Sequence, residues 1–449
     1  MRIVFSRHLH TSTYYYRAAK PPESALRDIA NLNKKKNETP FRDEAIEPVK
    51  KETMDYRGPK ANCAVFGAGF TKTGALGFSK LVTHKEMPEM KNRPLRIGAL
   101  NRRSIRRVAA GLGFSLFASP SRIYGSGLNN FYQLGGPPRS PTKFRSEVYY
   151  ISPTEIQIPD RPRILSISCG RLHSLIGTSD GVYALGDNAH GQCGQDPAHF
   201  EQVTHSISDI SLPRVPVPNH SPVKQVHCLL DSSFVLLENG DLYSFGLGTD
   251  GQLGTGNMDI ESLPTKVNLP PIRLVGGSTD TVMAVDYDGN LFMWGQNEYN
   301  QLAEFTEEPQ LCYPFQVPFK FDSPVRSAHA TATSCIVSTE NGTVYTWGSM
   351  ILGSGPLLKE SKRPIELSPN LFADARGRNS KVRRVFAGNA TMAAINEANQ
   401  LFVWGANRHQ ALALGNPKDQ LFPLQVYLPT DVKSISMSPT HTLFLAETT

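Results

Sequence analysis

The stretch VHCLLDSSFVLLENGDLYSFGLGTDGQLGTG, residues 226–256, carries the pattern that decides the fold. Two segments of alternating apolar and polar residues flank the pair Asn239-Gly240. Such a pair is the strongest short-range signal for a β-hairpin, because both residues tolerate positive φ. The second segment ends at Phe245-Gly246, and a Gly-Gln-Leu-Gly turn begins at Gly251. The stretch therefore predicts strand, turn, strand and tight turn.

An aromatic or apolar residue followed by glycine recurs along nearly the whole chain. The seven pairs are Phe66-Gly67, Tyr124-Gly125, Leu185-Gly186, Phe245-Gly246, Trp294-Gly295, Trp347-Gly348 and Trp404-Gly405. Their glycines are 49 to 61 residues apart, a period typical of stacked or radially arranged units. We interpret each glycine as the end of a strand, where the missing Cβ lets the chain turn sharply or another backbone approach closely.

The turn signals return in the other copies. Asp-Gly or Asn-Gly pairs occur at 180–181, 288–289 and 341–342, and segments similar to Gly-Gln-Leu-Gly occur at 132–135, 191–194, 300–303 and 410–413. Strand hairpins at this spacing, without a convincing run of helical periodicity, are typical of a propeller. The sequence therefore predicts an all-β fold, a seven-bladed β-propeller of four-stranded antiparallel blades.

The two ends of the chain each hold part of a repeat. Only half a unit follows Trp404-Gly405, and the first copy lacks the strands that should precede it. Pairing residues 432–447 with residues 62–67 would complete one blade from both termini and remove the exposed sheet edges of an open array. We therefore expect a ring that is closed by pairing of N- and C-terminal strands.

The repeated elements resemble the regulator of chromosome condensation repeat family over residues 61–449, and within it the mitochondrial branch. The resemblance is carried by the aromatic-Gly pair, the Gln-Leu-Gly turn and the element Gly170-Arg171-Leu172-His173 ahead of an Asp-Gly turn. The histidine position is kept only at His173 and His441. We interpret both histidines as strand-turn residues whose ring nitrogens bond neighbouring backbone. The resemblance implies guanine-nucleotide exchange on a GTPase.

The first sixty residues differ in composition from the rest. Residues 1–20 contain four Lys/Arg among hydroxyl residues and no acid, which indicates a mitochondrial presequence rather than a secretory signal. Residues 21–60 hold nine Lys/Arg and eight Asp/Glu with few large apolar residues, so we expect a charged flexible linker. The predicted organisation is a presequence at 1–20, a linker at 21–60 and the propeller at 61–449, located in the matrix or on the matrix face of the inner membrane.

The net charge of +7 is unevenly distributed. From Lys91 to Ser146 there are eleven bases and no Asp or Glu. A second basic cluster lies between Arg376 and Arg384, before a strand of a later blade. Such asymmetry can attract a polyanion to one side of the ring, although charge runs are often only solvated loops.

The predicted contact residues are the arginines of these two clusters. They are Arg96, Arg102, Arg103, Arg106, Arg107, Arg376, Arg378, Arg383 and Arg384. Possible partners are ribosomal RNA or the mitochondrial ribosome, an anionic membrane surface, or a GTPase or other protein; no DNA partner is expected. The arginines come without an aromatic stacking platform, so phosphate-backbone or protein contact fits better than base recognition.

The sequence predicts no catalytic residue, no cofactor and no metal site. Residues 246–251 match Gly-x-Gly-x-x-Gly, but a dinucleotide site needs a helix after this turn and here another strand is expected. The histidines show no metal-ligand spacing, and the six cysteines show no Cys-x-x-Cys pair. They are interpreted as small buried residues.

Two functional hypotheses remain. The first is a non-catalytic exchange factor or regulator for a mitochondrial GTPase, to which the long segment 195–222 would present a projecting loop. The second is a scaffold in mitochondrial ribosomal RNA maturation and ribosome assembly, which the acid-free basic sector favours.

Overall fold

The computed structural model describes residues 63–79, 89–136, 142–144, 147–198, 212, 214–218, 220–374, 377–378 and 380–447. Within these residues the chain forms 29 strands in seven antiparallel sheets, with three short 3₁₀ helices. The all-β seven-bladed propeller is therefore confirmed. The predicted presequence, the linker and most of the 195–222 segment lie outside the described residues and stay predictions.

In chain order, the strands are β1 (Cys63–Phe70), β2 (Met90–Arg96), β3 (Arg107–Ala110), β4 (Phe114–Ala118), β5 (Ile123–Leu128), β6 (Thr142–Phe144), β7 (Glu147–Ile156), β8 (Ile164–Cys169), β9 (His173–Thr178), β10 (Gly181–Gly186), β11 (Arg214–Val215), β12 (Val223–Cys228), β13 (Ser232–Leu237), β14 (Leu242–Gly246), β15 (Glu261–Lys266), β16 (Ile272–Ser278), β17 (Thr281–Asp286), β18 (Leu291–Gln296), β19 (Gln310–Gln316), β20 (Val325–Ala330), β21 (Ser334–Thr339), β22 (Val344–Ser349), β23 (Glu360–Glu366), β24 (Val382–Ala387), β25 (Thr391–Asn396), β26 (Leu401–Gly405), β27 (Gln420–Val426), β28 (Val432–Met437) and β29 (His441–Glu447). The 3₁₀ helices are Gly98–Leu100, Ala303–Phe305 and Pro369–Phe372.

The sheets follow one another around the ring as blades 1 to 7. From the innermost strand outwards, blade 1 is β28-β29-β1-β2, blade 2 is β3-β4-β5-β7-β6, blade 3 is β8-β9-β10-β11, blade 4 is β12-β13-β14-β15, blade 5 is β16-β17-β18-β19, blade 6 is β20-β21-β22-β23 and blade 7 is β24-β25-β26-β27. Blade 2 differs from the predicted four strands, because β6 pairs with the first residues of β7 and adds a fifth, outer strand.

Strands from both ends of the chain close the ring in blade 1. β1 pairs antiparallel with β29, from Cys63 opposite Glu447 to Gly69 opposite His441. The predicted pairing of residues 432–447 with residues near 62–67 is confirmed. Each innermost strand contacts the innermost strand of the next blade, including β24 with β28 and β28 with β3, so the ring has no open edge between blades.

Hydrogen bonds from one blade to the next fix the position of the buried tryptophans. The fully buried Trp294 and Trp347 donate from Nε1 to the carbonyl oxygens of Gln252 and Gln301, at 2.9 and 2.7 Å. These glutamines belong to the Gly-Gln-Leu-Gly turns of the preceding blades. Trp404 has no such acceptor, because the turn before it is shorter: Gly353 follows Gly348 by five residues, where eight separate Gly254 from Gly246.

The strand register corrects two of the seven predicted repeat glycines. Gly186, Gly246, Gly295, Gly348 and Gly405 each lie opposite the first residue of the preceding strand and have positive φ. In blades 1 and 2 the residues with this pairing and this φ are Gly69 and Gly127, so Gly67 and Gly125 were assigned two residues too early. Both blades contain a Gly-x-Gly segment, and the first glycine of each was mistaken for the second.

The two repeat histidines also differ from the interpretation given above. His173 and His441 are fully buried, but their Nε2 atoms contact hydroxyls rather than backbone. The partners are Ser233 Oγ at 2.9 Å and Ser115 Oγ at 2.7 Å, each in the next blade. The rings therefore link neighbouring blades through side chains.

The propeller has two distinct faces, because all seven innermost strands run in the same direction. We call the face where these strands begin face A; it also carries turns such as Asn239-Gly240. Face B is where these strands end, and it carries the Gly-Gln-Leu-Gly turns.

Candidate partner-binding faces

A basic residue lies at the same position of most innermost strands. In blades 1 and 3 to 7 the register shifts after the first residue of the innermost strand, so the second residue forms a bulge. In blade 2 the equivalent residue is Arg106. The Ala110 amide donates to Ser436 Oγ of blade 1, as the Cys228 amide donates to Ser168 Oγ of blade 3. Ala110 follows Arg106 by the same number of residues as Cys228 follows the bulge at Lys224. The resulting basic collar on face A consists of Arg106, Lys224, Arg273, Arg326, Arg383 and Lys433; blade 3 has Leu165 instead.

Several members of the basic collar are engaged with neighbouring groups. Lys433 Nζ lies 2.5 Å from Glu447 Oε2, and Arg326 Nε lies 3.8 Å from Glu340 Oε2. Arg273 donates to the main-chain oxygens of Val325 and Arg326 in the next blade. Exposed ion pairs of this kind add little stability, but they offset charge locally. Lys433 and Arg326 therefore contribute less net positive charge than the other members of the collar.

Two pairs of adjacent arginines lie in blades 7 and 2, on either side of blade 1. Among the described residues, Arg106, Arg107, Arg383 and Arg384 form no ion pair with a carboxylate. Arg107 and Arg384 follow the bulge position in their strands, and with Arg106 they line one axial channel. The structure thus brings the two predicted clusters, which are 277 residues apart at Arg107 and Arg384, to a common site.

The other predicted arginines have separate surroundings. Arg103 stacks 4.2 Å from the centre of the Tyr124 ring and donates to the Pro153 carbonyl, so it serves packing. Arg378 pairs with Asp374 on the surface. Arg102 is exposed in the loop before β3, and Arg96 is half-buried at the end of β2. Arg376 lies outside the described residues.

Face B carries an acidic cluster that the sequence analysis missed. Asp231 is the last residue of the turn between β12 and β13 in blade 4. Both of its carboxylate oxygens accept hydrogen bonds from Arg171 of blade 3. Asp280 holds the same place in blade 5 and accepts a hydrogen bond from Gln252 Nε2 at 3.1 Å. Asp250 lies in the turn between them. The acidic cluster is defined by Asp231, Asp250 and Asp280.

Burial perturbs the pKa of each member of the acidic cluster. Burial, with the neighbouring Asp250 and Asp231, raises the pKa of Asp280 to about 7 against the opposing effect of Arg171. Burial also raises the pKa of Asp231, although Arg171 opposes it. The pKa of Asp250 is raised by burial and by Glu298. Carboxyl groups with raised pKa at a rim are candidates for binding a cation from a partner.

A sequence signal for these acids existed. Asp231 and Asp280 each stand directly before the position of the repeat histidine, which is Ser232 and Thr281 in these blades. Two consecutive blades share this pattern, while Leu172, Thr333 and Ala390 occupy the place elsewhere. The quoted Gly170-Arg171-Leu172-His173 element also contained the arginine that bonds Asp231.

The part of the chain that the structure describes contains no group of three or more His, Cys, Asp or Glu that could hold a metal ion. Within the same residues, no helix has the length and apolar character to cross a membrane. Residues 246–251 connect β14 to β15 as a turn followed by a strand, as the repeat pattern predicts.

Comparison with known proteins agrees with this architecture. Residues 121–176, 239–285, 288–337 and 399–445 match the regulator of chromosome condensation (RCC1) repeat. The RCC1-like G exchanging factor-like protein of Homo sapiens is 35% identical over 428 residues, which cover 88% of this chain and 89% of the relative.

Two solved structures have a similar fold. Human WBSCR16 has a TM-score of 0.79 at 34% identity, covering 86% of this chain and 100% of that chain. Prp20p from Saccharomyces cerevisiae, whose structure was reported with its binding properties to Gsp1p and histones, has a TM-score of 0.69 at 18% identity over 86% of this chain and 92% of that chain. The latter likeness concerns the fold alone. On the strength of the repeat match and the human relative, the chain belongs to the regulator of chromosome condensation (RCC1) repeat family.

Proposed function

We propose that this protein is a guanine-nucleotide exchange factor for a mitochondrial GTPase, and that the acidic cluster of face B contacts the GTPase. The relative that is 35% identical is named an exchanging factor, which supports the GTPase class. The basic, hydroxyl-rich residues 1–20 support a mitochondrial location. No bond is made or broken in exchange, so the role needs no catalytic residue of its own.

The acidic cluster supports the mechanism through charge. A GTPase holds its nucleotide with a phosphate-binding loop, whose backbone amides and lysine surround the phosphates. An exchange factor accelerates release if it binds the nucleotide-free form more tightly than the loaded form. The carboxylates of Asp280 and Asp250, which lie beside the Asp231–Arg171 pair and form no ion pair in the described residues, would stabilise the vacated lysine and compete with returning phosphate. The observation that carries the proposal is the proximity of these partly enclosed acids at the rim of face B.

The proposal is tested by nucleotide release. Full-length protein is mixed with a panel of mitochondrial GTPases loaded with fluorescent GDP, and wild type is compared with Asp250→Asn/Asp280→Asn. We expect wild type to accelerate release from one of them and the double variant to lose at least about tenfold of that acceleration, since charge-assisted contacts are among the stronger polar interactions. Because the pKa of Asp280 is about 7, its charged fraction grows with pH, and wild-type exchange should rise between pH 6 and 8.

Asp288→Asn is the matched control, because Asp288 is an exposed carboxylate of blade 5 on face A. It should leave exchange unchanged. Equal loss in the control and the double variant, or exchange by the double variant at the wild-type rate, would contradict a role for the acidic cluster.

We propose as a second candidate a scaffold in mitochondrial ribosomal RNA maturation and ribosome assembly. The specific observation in its favour is the convergence of Arg106, Arg107 and Arg384 on face A without a carboxylate partner in the described residues. Phosphate contacts of this type depend steeply on salt, because binding releases counterions.

Charge reversal on face A distinguishes this candidate. The variant Arg102→Glu/Arg106→Glu, both exposed residues of blade 2, should shift the protein out of ribosomal fractions on a sucrose gradient. Lys320→Glu, an exposed residue before blade 6, is the control and should stay. Co-sedimentation that survives high salt or ribonuclease would rule out the RNA scaffold.

A further inference from the structure

The axial channel is unusual for the charge of its lining. It has a volume of about 410 Å³ and is walled by the innermost strands, from Arg106 and Arg384 near face A to Arg171 near face B. Four arginines line it, and none of the described lining residues is Asp or Glu. A volume of several hundred cubic ångströms is that of a small-molecule site.

Arg107 and Arg384 occupy the position after the bulge, where blades 1, 3, 4 and 6 have serine or glutamine and blade 5 has Leu274. Ser166 bonds the Val226 amide in the next blade, and Gln225 bonds both main-chain groups of Val275. These contacts hold neighbouring innermost strands together. Neither arginine makes a corresponding hydrogen bond in the described structure, so the ring is assembled without them.

The environment of both guanidinium groups is unfavourable for an unneutralised charge. Burial and Arg163 lower the pKa of Arg107, and burial and Arg383 lower the pKa of Arg384. Arg384 is exposed and Arg107 is half-buried, and both line the channel. Arginine nevertheless stays protonated at physiological pH, so both groups contribute a positive charge to the channel lining.

Apart from the four arginines, the lining residues supply aromatic contacts and a hydrogen-bond donor, and they carry no charge. Arg384 lies 5.0 Å from the Phe386 ring centre, and Phe386 stacks against His329 at 6.1 Å. Burial lowers the pKa of His329 to about 3 and that of His227 to about 4, so both rings are neutral. At the end of the channel near face B, in the position that Arg171 holds in blade 3, the lining residue Asn389 carries in its Nδ2 a buried donor without a hydrogen-bond partner in the described residues.

We propose that the axial channel binds a small phosphate anion carrying two or more negative charges, held by Arg107 and Arg384. Guanidinium groups match phosphate oxygens through paired hydrogen bonds, and a multivalent anion would offset both charges at once. The phosphates could belong to free pyrophosphate or to the phosphate chain of a nucleotide. The channel is too small for a folded partner, so this site is separate from the face B contact proposed for the GTPase.

Calorimetric titration of the full-length protein with sodium pyrophosphate, at constant ionic strength, tests the proposal. Wild type should bind one equivalent saturably and show a higher unfolding midpoint with added ligand, since a ligand that binds the folded state stabilises it. Arg107→Gln and Arg384→Gln should each weaken binding at least about tenfold, and the double variant should show none. Folding should persist, because glutamine is what blade 4 carries at this position; the unfolding midpoint without ligand checks it.

Arg326→Gln, which removes a basic collar residue outside the channel lining, should bind pyrophosphate like wild type. A parallel titration with ADP and GDP identifies the source: tighter binding than pyrophosphate indicates a nucleotide, and equal or weaker binding indicates the free anion. Absence of saturable binding to wild type, full binding by the double variant, or the same loss in Arg326→Gln would overturn the proposal.

Discussion

His173 links two blades, and its burial makes the stability of the fold depend on pH. Its ring is fully buried, and burial with Arg171 lowers its pKa to about 3. The unfolded value is near 6.5, so on acidification the unfolded state takes up the proton first. The stability that neutral His173 provides is complete above about pH 6.5 and is lost as pH falls towards 3.

The variant His173→Thr places a residue of blade 5's type at this position. It should lower stability at neutral pH, because a buried contact is lost, but its free energy of unfolding should depend less on pH. The difference in slope between variant and wild type approaches about 1.4 kcal/mol per pH unit below pH 6. Urea denaturation from pH 7 to pH 5 measures it.

Thr391→Ser, at the equivalent position of blade 7, carries no titratable group and should keep the wild-type slope. Asp280 acts in the opposite direction, because its raised pKa favours the folded state as pH falls from about 7; comparison with wild type removes this shared effect. Equal slopes for wild type and His173→Thr would contradict this prediction, because they would mean that His173 keeps its ordinary pKa in the folded protein.

Glycines 67 and 69 of β1 make the corrected register testable. A Cβ at Gly69, where φ is +114°, would lie 2.5 Å from the Thr440 carbonyl oxygen. At Gly67 the nearest atom is Cδ2 of Leu76, a side-chain end that can move. Gly69→Ala should therefore cost about 3 kcal/mol or more, and Gly67→Ala about 1 kcal/mol. Chemical denaturation measures both; a larger cost for Gly67→Ala would restore the original assignment.

At the scale of strands and turns, the sequence predicts what is local and misses what depends on alignment. The turn Asn239-Gly240 and the Gly-Gln-Leu-Gly segments mark the strands because they require positive φ, which only a few residue types adopt readily. Two Gly-x-Gly segments look alike in sequence, and only pairing with β29 and β4 shows which glycine turns. Spacing carried a clue: Gly251 follows Gly246 by five residues, and Gly74 follows Gly69 by the same number.

For the candidate sites too, the sequence predicts the local features and misses those that depend on the fold. The lack of acids from Lys91 to Ser146 was readable, and it led to Arg106 and Arg107. Their meeting with Arg384 was not readable, since it follows from the ring that places blade 7 two positions from blade 2. The acidic cluster was missed because isolated aspartates carry no pattern until the repeat is aligned on Ser232 and Thr281.

In the described ring, two clusters of opposite charge lie on opposite faces. Face A gathers unpaired arginines in blades 7 and 2, and face B gathers Asp231, Asp250 and Asp280 in blades 4 and 5. Opposite faces of a rigid ring can hold two partners of opposite charge at the same time, since neither competes for the other's surface. The two proposed functions are therefore compatible in one protein, and the variants on each face should separate them.

Blade 1 is built from strands of both ends of the chain, so it can be completed only at the end of synthesis. β28 and β29 follow every other described strand along the chain, so β1 emerges from the ribosome long before the strand that covers it. Until then, the edge of β1 (Cys63–Phe70) that pairs with β29 has unpaired backbone hydrogen-bonding groups. We expect a chaperone to bind it during synthesis. A frameshift that removes β28 and β29 would for the same reason leave β1 without its pairing strand, and blades 2 and 7 without the innermost strand between them.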